Sequence, residues 1–363
     1  MAVSRINEAG LNVNQYGNRN VIINGAMQVA QRSTSASGIG ASGGFFAIDR
    51  WAYSTNNSAG RVTISQDSDA PEGFGYSQKI ACTTADTSIA AGEYVILPQY
   101  IEGQNVQQFK KGTSSAEQIT VSFYVKGNAA ATYTVELEDA GNGRYNSQEF
   151  SVTSSWTRVT KTFVADTTGT ITNDNGNRFR LNFWLHAGSS YTGGDHTDNV
   201  WHTTANKRVG DNATSIYDST SRTFFITGVQ MEVGDTATDF EHRTFGDELQ
   251  RCLRYFYSCG DGSTHVYEAF AYGTATTTGA LEALLEFPVI MRTIPAVAQV
   301  GNVHIGNGVV GYTITSLTIS SNQSGAKRAI ISAGGASGMT QFRAYRIEAN
   351  NDATARLNFS AEL

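Results

Sequence analysis

Apolar and polar residues alternate with a period of two along most of the chain. Residues 61–65, 94–97, 119–126, 131–138, 157–164, 179–186 and 223–233 all read this way, and Gly, Asn, Asp or Ser clusters bound each of them. Such stretches predict half-buried strands separated by turns. Their number, and the lack of any βαβ rhythm, predict a large β-sandwich or jelly roll over residues 21–244. The period then changes. Phe245, Leu249, Cys252, Leu253 and Phe256 recur at intervals of three to four, with Asp247 and Glu248 near the start, which predicts a short connecting α-helix over residues 245–258. Alternation returns at 266–272, 281–287, 312–319, 328–332, 342–349 and 356–359, predicting a smaller β-sandwich over residues 259–363. Residues 281–286 have helical propensity, but the run Phe-Pro-Val-Ile-Met-Arg-Thr-Ile-Pro from 287 limits continuation and favours a strand. Residues 1–20 are polar, with Gly10, Asn12, Asn14, Asn18 and Asn20 close together; they build no core and read as an arm. The expected class is all-β.

Composition narrows the function classes. Of 363 residues, 16% are charged and the net charge is −6, against about 25% charged in an average soluble protein. Disorder and a general nucleic-acid footprint are excluded. No apolar run approaches the roughly 18 residues of a membrane span, and the opening residues carry no signal-peptide core. The expectation is a chain folded in a cytoplasm without membrane insertion. Three cysteines, Cys82, Cys252 and Cys259, make no disulfide framework, and none sits in a Cys-x-x-Cys pair.

Strand alternation also sorts candidate chemistry. If Val121, Phe123, Val125, Tyr133, Val135, Leu137, Leu181, Phe183 and Leu185 face the core, the opposite face carries Tyr124, Lys126, Glu136, Asn182, Trp184 and His186. Rings that cover the C–H face of a pyranose, beside carboxylate, amide and imidazole groups that bind hydroxyls, suit a sugar. The same set also suits a plain exterior face or a subunit interface. Glu136, Glu138 and Asp139 read as exposed strand and turn acids rather than a glycosidase pair. Asp195, His196, Asp198 and His202 read as a solvated loop, since no ligand spacing is anchored on a rigid element. No Gly-x-Ser-x-Gly, His-Glu-x-x-His or phosphate-binding loop is present; no catalytic residue and no metal ligand are assigned. Glu241, His242 and Arg243 read as a hydrogen-bonded junction before the helix. Phe245, Leu249, Leu253 and Phe256 need a surface to bury against, which sister chains around an axis would supply.

Several landmarks carry a family resemblance. Asn-Val-Ile-Ile-Asn-Gly-Ala-Met-Gln-Val-Ala-Gln-Arg at 20–32, Ala-Ile-Asp-Arg-Trp at 47–51, Gln-Tyr-Ile-Glu-Gly at 99–103, Phe-Phe-Ile-Thr-Gly-Val-Gln-Met-Glu-Val-Gly at 224–234 and Phe-Glu-His-Arg-Thr-Phe-Gly-Asp-Glu-Leu at 240–249 resemble tail-fibre and receptor-binding proteins of tailed bacteriophages. The resemblance implies a homotrimeric virion component of the tail. Its jelly roll would be like those of carbohydrate-binding modules, and its C-terminal sandwich would face the host. Residues 1–20 would dock on a phage baseplate or tail adaptor protein, and the ligand would be host polysaccharide or lipopolysaccharide. Carbohydrate-binding jelly rolls of this kind often hold a structural calcium. Here Ala26, Gln28 and Gly228 stand where hard oxygen ligands belong, so no cofactor is expected. A polysaccharide depolymerase is the alternative, disfavoured because no repeat of a catalytic β-helix is visible. A head or collar decoration is another.

Overall fold

The structure, a computed structural model, describes residues 17–56, 58–260 and 264–363. Most of the expected arm, residues 1–16, lies outside the described residues. The protein is all-β, with two compact units divided between Glu248 and Leu249.

The N-terminal unit contains β1 (Ser35–Ile39), β2 (Gly44–Phe45), β3 (Ala52–Asn56), β4 (Arg61–Asp67), β5 (Ser77–Thr84), β6 (Tyr94–Glu102), β7 (Ile119–Gly127), β8 (Ala131–Asp139), β9 (Arg144–Val152), β10 (Thr157–Phe163), β11 (Asn177–Ala187), the single turn α1 (Ser189–Thr192) and β12 (Thr223–Val233). They form two six-stranded sheets, ordered β1-β4-β5-β12-β7-β10 and β2-β3-β6-β11-β8-β9. Val121, Phe123 and Val125 of the first sheet meet Val135, Leu137, Leu181, Phe183 and Leu185 of the second in one core. Burying one such side chain contributes about 1.5–3 kcal/mol. A one-residue slip of a strand would turn all of its set outward, so the core fixes the register.

β12 shows how the sequence adjusts that register. Phe224 and Ile226 point inward, yet so do Val229 and Met231, and parity changes between them. The pairing with β7 shifts between Thr227 and Gln230, where Gly228 adopts φ +61°. Glycine takes that conformation without penalty, and the bulge returns the apolar residues to the core. A Cβ here would lie 2.7 Å from Phe74 and 2.8 Å from Tyr124.

The chain enters this unit as an ordered segment, which moves the arm boundary. Asn20, expected in the arm, is buried. Its amide donates to Glu241 Oε2 at 2.8 Å, and its side chain both donates to Val229 O and accepts from Ile22 N and Met231 N. The turn at residues 24–29, where the resemblance places a calcium, is filled by protein partners. Asn24 bonds the backbone of Val29 and Asp49, Trp51 Nε1 donates to Asn24 O, and the Asn24 amide donates to Glu248 Oε1 at 2.5 Å.

The helix α2 (Phe245–Leu253) is shorter than the expected 245–258. Thr244 caps it by accepting the Asp247 amide, as a capping hydroxyl does. It ends because β13 (Phe256–Cys259) pairs with a later strand, Phe256 opposite Ser360. Phe256 is therefore a buried strand residue, not part of a helical stripe. Leu249 and Leu253 are half-buried and Phe245 is exposed.

The C-terminal unit continues with β14 (Ala269–Ala275), β15 (Ala280–Glu286), β16 (Ala296–Val300), β17 (Val303–Gly306), β18 (Gly311–Thr313), β19 (Ser316–Ile319), β20 (Arg328–Gly334), β21 (Ala344–Ala349) and β22 (Arg356–Ser360). A seven-stranded sheet, β18-β17-β21-β14-β15-β20-β19, and a three-stranded sheet, β13-β22-β16, enclose Leu281, Leu285, Ile305, Ile331, Ile347, Leu357 and Phe359. The stretch 312–319, expected as one strand, is two: Ile314 turns into the core between β18 and β19. Cys82, Cys252 and Cys259 are free thiols.

Glu248 links the entry segment to α2, since its carboxylate takes the Asn24 amide and faces Arg243 at 3.4 Å. Glu248→Ala leaves that amide buried without an acceptor. Urea denaturation is expected to show a loss of about 1–3 kcal/mol; an unchanged midpoint would show that the bond is replaceable.

Candidate functional site

The six candidate residues do not share a face. Glu136, Asn182, Trp184 and His186 project from the outer side of the β6-β11-β8-β9 sheet, whereas Tyr124 and Lys126 project from the outer side of the other sheet. Alternation places residues relative to the core, but β7 and β8, though consecutive, belong to different layers.

The first four are not accessible, which corrects the expectation of an exposed face. None exposes more than 2% of its surface. Residues 188–217 fold back over this sheet, and Arg208 is the group they deliver. Its Nε donates to Glu136 Oε2 at 2.7 Å and its Nη2 to Glu136 Oε1 at 2.6 Å and Glu138 Oε2 at 3.0 Å. The guanidinium also lies 3.9 Å from the Tyr145 ring centroid and 4.8 Å from that of Trp184. Burial pulls the Arg208 pKa down, but Glu136 and Glu138 overcome this and hold it above the usual arginine value. Asn182 Nδ2 donates to both carboxylates at 2.8 Å, and Arg180 meets Glu138 at 3.1 Å. Glu136 and Glu138 are therefore sealed acids engaged by arginine, not exposed strand acids. They are equally closed to a polysaccharide chain. Trp184 packs with Ile96, Val209, Tyr94 and Tyr191. His186 Nδ1 is 2.7 Å from Ser215 Oγ, with Glu93 on its other side at 3.6 Å.

The cluster expected as a solvated loop is part of the same cover. His202 exchanges both backbone hydrogen bonds with Tyr145, Asn199 N donates to Ser147 O, and Asp198 Oδ1 accepts the Glu149 amide. The segment 196–202 thus runs along the free edge of β9 and blocks strand addition there.

Tyr124 and Lys126 lie on a half-exposed face whose other members were not anticipated. Phe74 stands 5.4 Å from Tyr124, 5.0 Å from Phe240 and 5.2 Å from the exposed His242. Next to this group Lys126 Nζ is 2.5 Å from Asp69, and Asp69 also accepts Trp156 Nε1 at 3.0 Å. These two bonds hold the Asp69 carboxyl below its ordinary pKa. Lys126 further lies over the Trp156 and Phe225 rings at 5.9 and 5.5 Å, and Arg158 sits opposite Tyr124 on β10. The result is a sheet face of tilted rings bordered by carboxylate, ammonium and guanidinium groups. Phe74 was missed because it lies in the 68–76 turn, and Trp156 because it precedes a strand; neither position has a periodic signal.

Of the three expected junction residues, Glu241 and Arg243 come together, whereas His242 packs on Phe74 and Phe240 instead. Arg243 donates to the carbonyls of Asn20 and Ile22 and lies 3.4 Å from both Glu241 and Glu248. Burial raises the Glu241 pKa, but the Asn20 amide and Arg243 bring it below the ordinary value.

No protein-family model matches this chain, and no curated protein matches it. Among solved structures, the carbohydrate-binding module TmCBM61, determined with beta-1,4-galactotriose, is 14% identical over 59% of this chain and 99% of its own, with a TM-score of 0.31. The family 11 module of a Clostridium thermocellum cellulosomal cellulase is 14% identical over 55% and 94%, with a TM-score of 0.28. The tandem N-terminal CBM22 domains of Paenibacillus barcinonensis Xyn10C are 13% identical over 86% of each chain, with a TM-score of 0.26. At this level the likeness assigns neither ligand nor activity.

Two measurements follow from the covered face. Arg208→Ala leaves Glu136 buried without its cation, and a loss of about 3–5 kcal/mol is expected in chemical denaturation. A loss under about 1 kcal/mol, the size of an exposed pair, would show that the network is solvated. Burial also lowers the pKa of His186 and His202 below the ordinary 6.5. The unfolded chain then binds protons that the folded one refuses, so their contribution to stability is fully present above about pH 6.5 and declines as the pH falls below it. The melting temperature of the N-terminal unit is expected to fall between pH 7.5 and 5.5, and to fall less in His186→Gln; equal slopes would remove His186 from the account.

Proposed function

We propose that the protein is a non-enzymatic, glycan-binding adhesin, a receptor-binding component of a phage tail fibre that acts during adsorption. The observation that carries the binding part of this reading is the ring-lined face around Tyr124. Sugars present apolar C–H faces ringed by hydroxyls, and a recognition surface needs half-exposed rings with charged hydrogen-bonding groups beside them. Phe74, Tyr124, Phe240 and His242 supply the rings, and Asp69, Lys126 and Arg158 supply the polar border. The sealing of Glu136 and Glu138 removes that carboxylate pair from consideration as a depolymerase centre.

The finer assignments rest on the resemblance of residues 20–258 to tail-fibre proteins. They are a homotrimer in the virion, attachment through residues 1–20 to a baseplate or tail adaptor, and host polysaccharide or lipopolysaccharide as ligand. The exposed Phe245 and the half-buried Leu249 and Leu253 on α2 support self-association. Three sites on one particle raise weak single-site affinity through high effective concentration.

The test is binding of host lipopolysaccharide or capsule to the full chain and to Tyr124→Ala and Trp156→Ala, with assembly checked by sedimentation. Losing one ring contact of about 0.5–1.5 kcal/mol weakens each site up to roughly tenfold. The proposal expects that loss in both variants at unchanged oligomeric state. Undiminished binding in both would remove this face, and release of reducing ends by the intact protein would overturn the non-enzymatic reading.

A further inference from the structure

We propose that the C-terminal unit carries a second, independent saccharide subsite, sized for a single pyranose unit, in the cleft beside β17 and β21. This extends the glycan-binding reading given above and rests on it. The cleft has a volume of about 420 Å³ and is lined by Tyr267, His304, Arg346, Glu348 and the 308–311 hairpin, within the range of small-ligand pockets.

Its polar floor follows from strand register. His304 on β17 lies opposite Glu348 on β21, and Arg346 sits two residues before Glu348 on the same outward side. The Glu348 carboxylate is almost fully buried, 3.1 Å from His304 Nε2 and 2.9 Å from Arg346 Nη2. Two glycines make space for this arrangement. A Cβ at Gly306 would lie 1.7 Å from Glu348 Oε1, and one at Gly311 would lie 2.5 Å from His304 Nδ1. Any other residue at either place would displace the floor.

The walls are apolar and exposed. Tyr267 leaves 59% of its surface accessible, and Val309 leaves 92%. The hairpin that carries Val309 and Val310 is held in shape by Asn307, whose Oδ1 accepts both of their amides at 3.0 and 2.8 Å. A ring on one side and a fixed guanidinium, imidazole and carboxylate group on the floor match the two faces of a hexopyranose: C–H groups to the tyrosine, hydroxyls to the floor. Arg346 is half-exposed and lines the cleft. None of this depends on the N-terminal ring face, so each site binds saccharide on its own.

The experiment is saturation-transfer NMR on the full chain with a panel of methyl pyranosides (galactoside, glucoside, N-acetylglucosaminide), repeated for Tyr267→Ala, Arg346→Lys and the N-terminal Tyr124→Ala. Tyr267 is exposed, so its variant keeps the fold, and Arg346→Lys keeps the charge while removing the planar donor set. The proposal expects transfer to at least one pyranoside, with the affinity of the C-terminal subsite weakened up to about tenfold in Tyr267→Ala, as for loss of one ring contact, and about tenfold or more in Arg346→Lys, as for loss of one hydrogen bond to a charged group. It expects a residual signal in Tyr124→Ala. Transfer unchanged in both C-terminal variants but abolished by Tyr124→Ala overturns the second subsite and leaves the adhesin reading standing. No transfer to any pyranoside, together with no binding of host polysaccharide, overturns both.

Discussion

The covered face of the N-terminal unit is organised around a buried guanidinium. Arg208 comes from the connection between β11 and β12, reaches the outer face of a sheet and meets Glu136 and Glu138 between the rings of Tyr145 and Trp184. Moving a guanidinium and two carboxylates out of water costs several kcal/mol per ion, and only a geometry with nearly every donor matched returns it. The bidentate bond to Glu136 and the Asn182 bridge meet that requirement. Since the pair costs so much to separate, residues 188–217 are held shut over Trp184 and His186, and the β9 edge is closed in the same movement.

That closure decides which ring-bearing face stays open. With the β6-β11-β8-β9 face sealed, the opposite sheet is left with its rings half exposed, and the Gly228 bulge lets Phe74 and Tyr124 lie against β12. The C-terminal unit reaches a comparable mixture by another route, in which Gly306 and Gly311 clear room for an ion-paired floor below Tyr267. In both places a glycine creates the space and an ion pair fixes the polar groups.

The sequence disclosed the strands better than the cover. Alternation in 119–126, 131–138 and 179–186 located β7, β8 and β11 and sorted inward from outward residues, because that signal is local and has a fixed period. It did not distinguish β7 from β8 as members of opposite sheets, so Tyr124 and Trp184 were expected together. It also carried no sign that Arg208 would cover Trp184, a contact 24 residues away through irregular chain. A signal for the cover did exist: a stretch of that length without strands is uncommon in a compact domain unless it packs on something, and Val209, Ile216 and Tyr217 within it are apolar. The helix was legible at its start, Phe245, but not at its end, where pairing of Phe256 with Ser360 overrode helical periodicity.

On the proposed reading, sugar meets the Tyr124 face and not the Trp184 face. A structure of the full chain determined with an oligosaccharide from host lipopolysaccharide or capsule tests this most directly. The prediction is saccharide density over Tyr124, Phe74 and Trp156, with Arg208 still bound to Glu136. Density against Trp184, with residues 188–217 displaced and the Arg208–Glu136 bond broken, would contradict it.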